Sequence, residues 1–378
     1  MNKTHQLIAE LLAPADIQLN GDRPWDIQLR DDYFLQQLLS RGNLALGEAY
    51  MAGDWDCEAL DVLFCRILTH RLHEHVQPTR LLWHVVKSHL FNLQTPKRAW
   101  QVGFRHYDLG NRLYQAMLDE RMVYTCGYWR HAQSLTDAQR DKLELVCQKL
   151  NLQPGMRVLD IGCGWGSFMK YAAEHYGVSC VGVTISRQQV ELGEQLCQGL
   201  PIEFRLQDYR TLHEPFDAVV SLGMFEHVGQ RNYSHFMQVA ARCLAPDGLF
   251  LLHTIGRNRD VRGTDPWIHR YIFPNGELPC LAHIDAASRK HLRAEDVEHL
   301  GADYDPTLMA WYQNFEQAWP SLREDYDETF FRMWRYYLLS CAGAFRARDL
   351  QVWQWVLSHP ASSSGYRRPL RLTAAGGA

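Results

Sequence analysis

Long apolar runs are missing from this 378-residue chain: no stretch reaches the roughly 20 apolar residues of a membrane-spanning helix. The opening "MNKTHQLIAELLAPADIQL" also lacks the apolar core of a signal peptide. The expectation is a cytoplasmic protein whose membrane contact is peripheral. Charge of one sign is scarce, the formal net charge being −4. That argues against a whole-molecule field that gathers nucleic acid. The ten cysteines form no CxxC and no cluster with ligand spacing. Neither a disulfide framework nor a structural zinc site is expected, and no metal site is predicted. Internal repeats are absent.

What is present is ample apolar material, 46% of the residues, enough for one large domain or two smaller ones. Residues 1–95 read as a small mixed unit. Leu7, Ile8, Leu11 and Leu12 fit one face of a short helix. Two alternating pieces, "DIQLN" and "DIQLR", are separated by the turn residues Gly21, Asp22 and Pro24. Leu35, Leu38 and Leu39 then suggest a second helix, ended by Gly42. From about Met156 apolar strands alternate regularly with helices. The predicted strands are "RVLDIG", "VSCVGVTI", "IEFRLQ", "DAVVSL" and "LFLLHTI". Between them lie helical patterns such as "SFMKYAAEHYG" and "YSHFMQVAARCLAPDG", the latter expected to run to Gly248. This alternation predicts an α/β fold, a Rossmann-like doubly wound parallel sheet, over residues 96–365. The last third reads as aromatic-rich and helical. Residues 366–378 have the composition of a disordered tail.

The stretch "VLDIGCGWG", residues 158–166, carries the first chemical signal. Asp160 precedes Gly162, Gly164 and Gly166, which alternate with other residues at the mouth of a predicted strand. A dinucleotide site wants G-x-G-x-x-G and an acid about 20 residues on, at the end of the second strand. Here the third glycine comes one place early, and the second strand ends in "VTIS" without an acid. An S-adenosylmethionine site needs no phosphate cradle. It needs bare backbone that lets methionine and adenosine approach closely, which glycine permits. Asp160 suits the ligand's ammonium or the anchoring of the loop. A tight strand-to-helix turn that binds nothing is the bland alternative.

Eight stretches extend the pattern: "LNLQPGMRVLDIGCGWGS", "VGVTIS", "LQDYR", "GMFEHVG", "LLHTIG", "DPWIHRYIFPNG", "GADYDPTLMAWY" and "CAGAFRARD". Through them nearly the whole chain resembles the cyclopropane-fatty-acyl-phospholipid synthases, class I methyltransferases that include the mycolic acid cyclopropane synthases. The first stretch is common to many methyltransferases; "GMFEHVG", "YIFPNG" and "GADYD" are far more specific. The resemblance implies S-adenosyl-L-methionine as cofactor. Its contacts would be Tyr124, Thr125, Asp160, Gly162, Cys163, Gly164, Gly166, Thr184, Gln189, Gln207 and Asp208. The missing acid after the second strand departs from the general methyltransferase pattern and agrees with this family. Thr-Cys-Gly at 125–127 replaces the family's more usual Ser-Cys-Ala.

The reaction so implied adds a methylene across a cis double bond of a phospholipid acyl chain. An alkene is a poor nucleophile, so positioning in a dry pocket must supply most of the rate. A proton must then leave the new methyl group, and the resemblance implies a bound bicarbonate as base. Its cradle maps onto Cys126, Glu226, His253, Ile255 and Tyr304. Glu226 would accept from the bicarbonate hydroxyl, while Tyr304, His253 and the backbone at Ile255 would donate. Each has a plainer reading as well: His253 as a core residue ending a strand, Glu226 as a helix cap, Cys126 as a small buried hydrophobe. Cys341 in "CAGAF" is a further candidate, set in what reads as helix core. Tyr107, Tyr124, Tyr128, Trp129 and Phe225 flank the cofactor motifs; their rings suit a cation or ordinary packing.

The first unit also needs a purpose. From His70 to His106 six basic residues face one acid, Glu74. Within that window, 80–93 is a basic and apolar segment with Leu81, Leu82, Trp83 and Phe91 beside Arg80 and Lys87. It fits docking on the inner, anionic face of a membrane, or packing against a second copy; family members are homodimers. Three rivals stand beside this reading. One is another S-adenosylmethionine methyltransferase, acting on nitrogen or oxygen of a small metabolite or lipid head group. The others are a nicotinamide oxidoreductase and a silent lipid-binding protein.

Overall fold

A computed structural model describes residues 3–72, 110–260, 263–363 and 365–369. In the first unit α1 (Lys3–Leu12) buries Ile8 and Leu12 and leaves Leu7 half exposed. The alternating pieces form no ladder and pair through an isolated Leu19–Ile27 bridge. The second of them supplies β1 (Gln28–Leu29). Helix α2 (Tyr33–Arg41) stops at Gly42, whose φ of 56° suits a turn out of the helix. Then come α3 (Asn43–Ala52), β2 (Trp55–Asp56), which pairs antiparallel with β1, and α4 (Leu60–Thr69).

The larger unit opens with α5 (Asn111–Met117) and α6 (Leu135–Lys149), the latter capped by the Ser134 hydroxyl on the Asp137 amide. Strands and helices then alternate: β3 (Arg157–Ile161), α7 (Ser167–Tyr176), β4 (Ser179–Thr184), α8 (Arg187–Leu196), β5 (Ile202–Leu206), β6 (Phe216–Leu222), α9 (Tyr233–Cys243) and β7 (Leu244–Arg257). All five predicted strands are present. Helix α9 ends at Cys243 rather than Gly248, because Pro246 cannot continue a helix and the chain turns directly into β7. Gly248 instead permits a close approach of two strands. A Cβ there would lie 2.6 Å from the Asp217 carbonyl, where β6 and β7 shift register.

The last third holds α10 (Pro266–Tyr271), α11 (Leu281–Ser288), β8 (Arg293–His299), α12 (Gly301–Leu322), α13 (Glu328–Arg346) and β9 (Leu350–Ser358). It is mainly helical, as expected, and adds two strands. Strands β8 and β9 complete a seven-stranded sheet of order β5-β4-β3-β6-β7-β9-β8, parallel except that β9 runs antiparallel to both neighbours. "RAEDVEH" hides β8 from pattern reading, because an edge strand tolerates charge on both faces.

One apolar cluster fills each face of the sheet. A third, including Ile8, Trp55, Tyr114, Trp311 and Phe345, joins the first unit to α12 and α13 without a break. Tyr336 of α13 is the centre of that contact, its ring 5.5 Å from Tyr50, 5.1 Å from Phe64 and 4.5 Å from Trp267. At the other end Tyr366 packs on the sheet core and Arg368 pairs with Asp296 of β8 at 2.5 Å. Residues 370–378 of the expected tail, and the docking segment 80–93 with Tyr107, lie outside the described residues. The strand order reverses between β3 and β6, and ligands of doubly wound sheets bind beyond strand ends at such a switch point.

Candidate active site

The glycine loop leaves β3 at this switch point and is tied to β4: the amides of Gly162 and Cys163 donate to the Val183 carbonyl at 2.9 and 3.2 Å. Its three glycines differ in what they face. A Cβ on Gly162 would meet the Met224 side chain at 2.7 Å, and one on Gly166 the Phe204 ring at 2.4 Å. At Gly164, with φ +56°, a Cβ would meet nothing within 4 Å, because it projects into a cavity. Every predicted cofactor residue lines that cavity except Gly166, which starts α7 from behind the loop.

Polar groups in the cavity have capacity to spare. Thr184 donates to the Gln189 side-chain carbonyl at 2.7 Å, which leaves the Gln189 amide hydrogens for a ligand. Asp208 accepts from the Arg210 amide and guanidinium at 3.0 and 2.8 Å, one bond to each oxygen. Asp160 is 2% exposed, and its Oδ1 has no hydrogen-bond partner. Burial pushes its carboxyl up to about 7 against the pull of the Lys142 charge. An unpartnered buried carboxylate oxygen beside bare glycine backbone fits the ammonium of S-adenosylmethionine.

Lys142 of α6 was not singled out from the sequence. It is fully buried and donates to the Thr125 hydroxyl at 2.9 Å. Burial draws its ammonium down to about 8, while Asp119, Cys126 and Asp160 oppose that. The available signal was its place on the buried stripe of α6, with Val146 and Lys149.

A second cluster lies past the end of β6, beside the last residues of β7. Glu226 sits in a 3-10 turn, Phe225–His227, and caps no regular helix. Its Oε1 accepts from the Ile255 amide at 2.6 Å, and its Oε2 is buried without a partner. Burial pushes this carboxyl up to about 7, although the Ile255 amide, its own backbone amide and the Thr254 hydroxyl favour the ionised form. The Ile255 amide, which the resemblance assigns to an anion, is thus engaged by Glu226. Tyr304, in the first turn of α12, is buried; burial first, then the neighbouring Cys126, Tyr124, Glu226 and Cys341, raise its hydroxyl well above the usual range. Cys126 is fully buried, its Sγ 3.2 Å from the Gly127 carbonyl, and burial and Asp303 hold it as a thiol. His253 is 1% exposed, with Nδ1 3.2 Å from the Gln354 side-chain amide. Burial and then the charges of Lys142 and Lys149 keep the ring neutral.

Aromatic roles divide. Tyr124 lines the cavity and shares a hydrogen bond with Tyr337 at 2.8 Å. Phe225 stacks on Tyr233 at 4.2 Å, and the Trp129 indole donates to Thr307 at 2.8 Å, so both pack behind the site. Burial pushes the Cys341 thiol up to about 12, which leaves almost no thiolate at neutral pH. Among the described residues no group of three or more His, Cys, Asp or Glu is placed to hold a metal ion. No described helix is long and apolar enough to cross a membrane.

Residues 94–355 match the family described as mycolic acid cyclopropane synthetase. The chain belongs to that family. It is 50% identical over 358 residues to the cyclopropane-fatty-acyl-phospholipid synthase of Escherichia coli K12, across 94% of this chain and 93% of the relative. Among solved structures it is similar to the cyclopropane synthase MmaA2 of Mycobacterium tuberculosis, with a TM-score of 0.65 and 30% identity over 68% of this chain and 97% of that one. The mycolic acid cyclopropane synthase CmaA1, solved with SAH and CTAB, matches at a TM-score of 0.63 and 32% identity over the same shares. The sheet is therefore that of the class I S-adenosylmethionine methyltransferases, and the family member described here is an enzyme of that class.

Proposed function

We propose that this synthetase-family member adds a methylene across cis double bonds of phospholipid acyl chains, with bicarbonate as the base. The observation that carries the base is the unpartnered, buried Oε2 of Glu226. A carboxylate oxygen stripped of water costs on the order of 1–3 kcal/mol or more when it has no partner. A site selected for stability would fill it; one that receives a hydroxyl donor would leave it open. S-adenosylmethionine, against Asp160, Gly164, Gln189 and Asp208, supplies an electrophilic methyl group, and bicarbonate beside Glu226 supplies a proton acceptor.

The rest falls on the chain's own side chains. Glu226 holds its acceptor oxygen in place because the Ile255 amide grips the other oxygen; Ile255 acts through Glu226. Tyr304 and His253 are neutral at physiological pH and present donors without adding a base that competes. Cys126 stays a thiol, so it is a poor nucleophile toward an electrophilic methyl. Burial keeps water from the reacting carbon. Cys341 serves packing. The cytoplasmic location, the homodimer, and docking of 80–93 on anionic lipid belong to the same proposal, as does the division into a 1–95 docking unit and a 96–365 catalytic unit.

Incubating the purified protein with S-adenosylmethionine and vesicles of cis-monounsaturated phospholipid, followed by mass analysis of the fatty acids, tests this reading. A gain of one methylene with loss of the double bond is expected. Methylation confined to a head-group nitrogen would replace this reading with the head-group methyltransferase.

A further inference from the structure

His253 pairs in register with Gln354 of β9, and Gln354 pairs in register with Glu298 of β8. The three side chains thus form a row across three adjacent strands. Lys149, at the end of α6, closes over that row. Its Nζ donates to the Gln354 Oε1 at 2.7 Å and lies 2.5 Å from a Glu298 carboxylate oxygen. Lys149 and Gln354 are completely buried and His253 almost so.

Hydrogen-bond chemistry orients this chain in one direction. An ammonium has donors and no acceptor, so the Gln354 atom facing Lys149 is the carbonyl oxygen. The amide nitrogen then faces His253 at 3.2 Å and donates, which requires a lone pair on Nδ1. A neutral imidazole with a lone pair on Nδ1 carries its proton on Nε2. We propose that Lys149, Gln354 and Glu298 are positioning residues that lock His253 in the Nε2–H tautomer, making it a fixed hydrogen-bond donor to the anion. The donor role rests on the bicarbonate reading above; the tautomer does not. Glu298 completes the device by keeping Lys149 charged, since burial alone pulls that ammonium down and a neutral amine would accept as well as donate.

The decisive variant is Gln354→Glu, which keeps size and the contact with Lys149 but offers His253 only an acceptor. Lys142 and Lys149 of α6 act on the ring, with Glu298 beyond Gln354, and all three remain; the variant adds a carboxylate beside Nδ1. In the wild type, 15N spectra of histidine-labelled protein should show a protonated Nε2 and a bare Nδ1 for His253 at both pH 6.5 and pH 9. In Gln354→Glu at pH 9 the proton should sit on Nδ1. Turnover should then fall about tenfold or more, S-adenosylmethionine affinity should hold, and activity relative to the wild type at the same pH should recover as the pH is lowered and the ring gains a second proton. Lys149→Arg, which keeps a charged donor, should retain the wild-type tautomer.

A wild-type His253 protonated on Nδ1, or on both nitrogens at pH 9, overturns the lock whatever the variants do, including failure of Gln354→Glu to fold. Wild-type turnover in Gln354→Glu at pH 9 with Nε2 bare overturns the donor role. The spectra need no bicarbonate, whereas carbonate depletion of the wild type tests the anion reading by itself, so the two fail separately.

Discussion

Replacing Glu226 by Gln probes activity and stability in opposite directions. The amide oxygen can still accept from the Ile255 amide, which holds Oε1 at 2.6 Å. The amino group, however, falls where Oε2 is now unpartnered, so a donor replaces the acceptor. Loss of base assistance should lower turnover about a hundredfold or more, equivalent to at least about 2.7 kcal/mol of barrier. S-adenosylmethionine binding by calorimetry should be nearly unchanged. Stability should move the other way at high pH. The folded carboxyl titrates at about 7 against an ordinary 4.5, so the folded state holds its proton more tightly than the unfolded state. Stability is therefore lost as pH rises from about 4.5 to about 7, and stays lost above. Removing the charge recovers roughly 3 kcal/mol at pH 8.5 and little at pH 5, set against about 1–3 kcal/mol for an unpaired amide at either pH. The variant should gain on the wild type by about 2–3 kcal/mol between pH 5 and pH 8.5 in urea melts. At saturating bicarbonate, wild-type turnover should climb through about pH 7, where the carboxyl ionises, and the residual activity of Gln should lack that limb. Full activity of Glu226→Gln, or indifference of the wild type to carbonate depletion, would refute the argument.

Three other outcomes are expected. Gly164→Ala places a methyl group in the cavity at φ +56°; cofactor affinity should collapse while thermal unfolding stays cooperative, the backbone strain being only about 1–2 kcal/mol. Calorimetry showing wild-type affinity would mean that the cavity holds something else. Cys341→Ala should leave turnover within about twofold, since a thiol near 12 supplies no nucleophile; a hundredfold loss would restore it as an active-site residue. Neutralising Arg80 and Lys87 together should weaken flotation with anionic vesicles at low salt and matter less at high salt. Turnover on detergent-dispersed lipid should survive, and unchanged flotation would assign 80–93 to contacts between copies of the chain.

Ten of the eleven cofactor residues implied by the family resemblance line one cavity. Local chemistry was enough to read five parallel strands and the glycine loop. Those features depend on neighbours in sequence: apolar runs of strand length, and glycines at a strand mouth where φ must be positive. Gly166 shows where that reading stops. It continues the same alternation as Gly162 and Gly164, yet it faces Phe204 and not the cavity, because only the packing of β5 determines what stands behind the loop.

What the tertiary structure alone decided are the charges and their partners. Lys142 and Lys149 look like solvent lysines of an ordinary helix until the sheet covers that side of α6. Gln354 looks like a polar interruption in "LQVWQWVLS" until β9 inserts between β7 and the acidic edge strand β8. Asp160 and Glu226 could be named as candidates from their motifs, but their titration near 7 could not. It arises because residues far away in sequence exclude water and leave one oxygen of each without a donor. Desolvation is a property of the whole fold, and no window of sequence contains it.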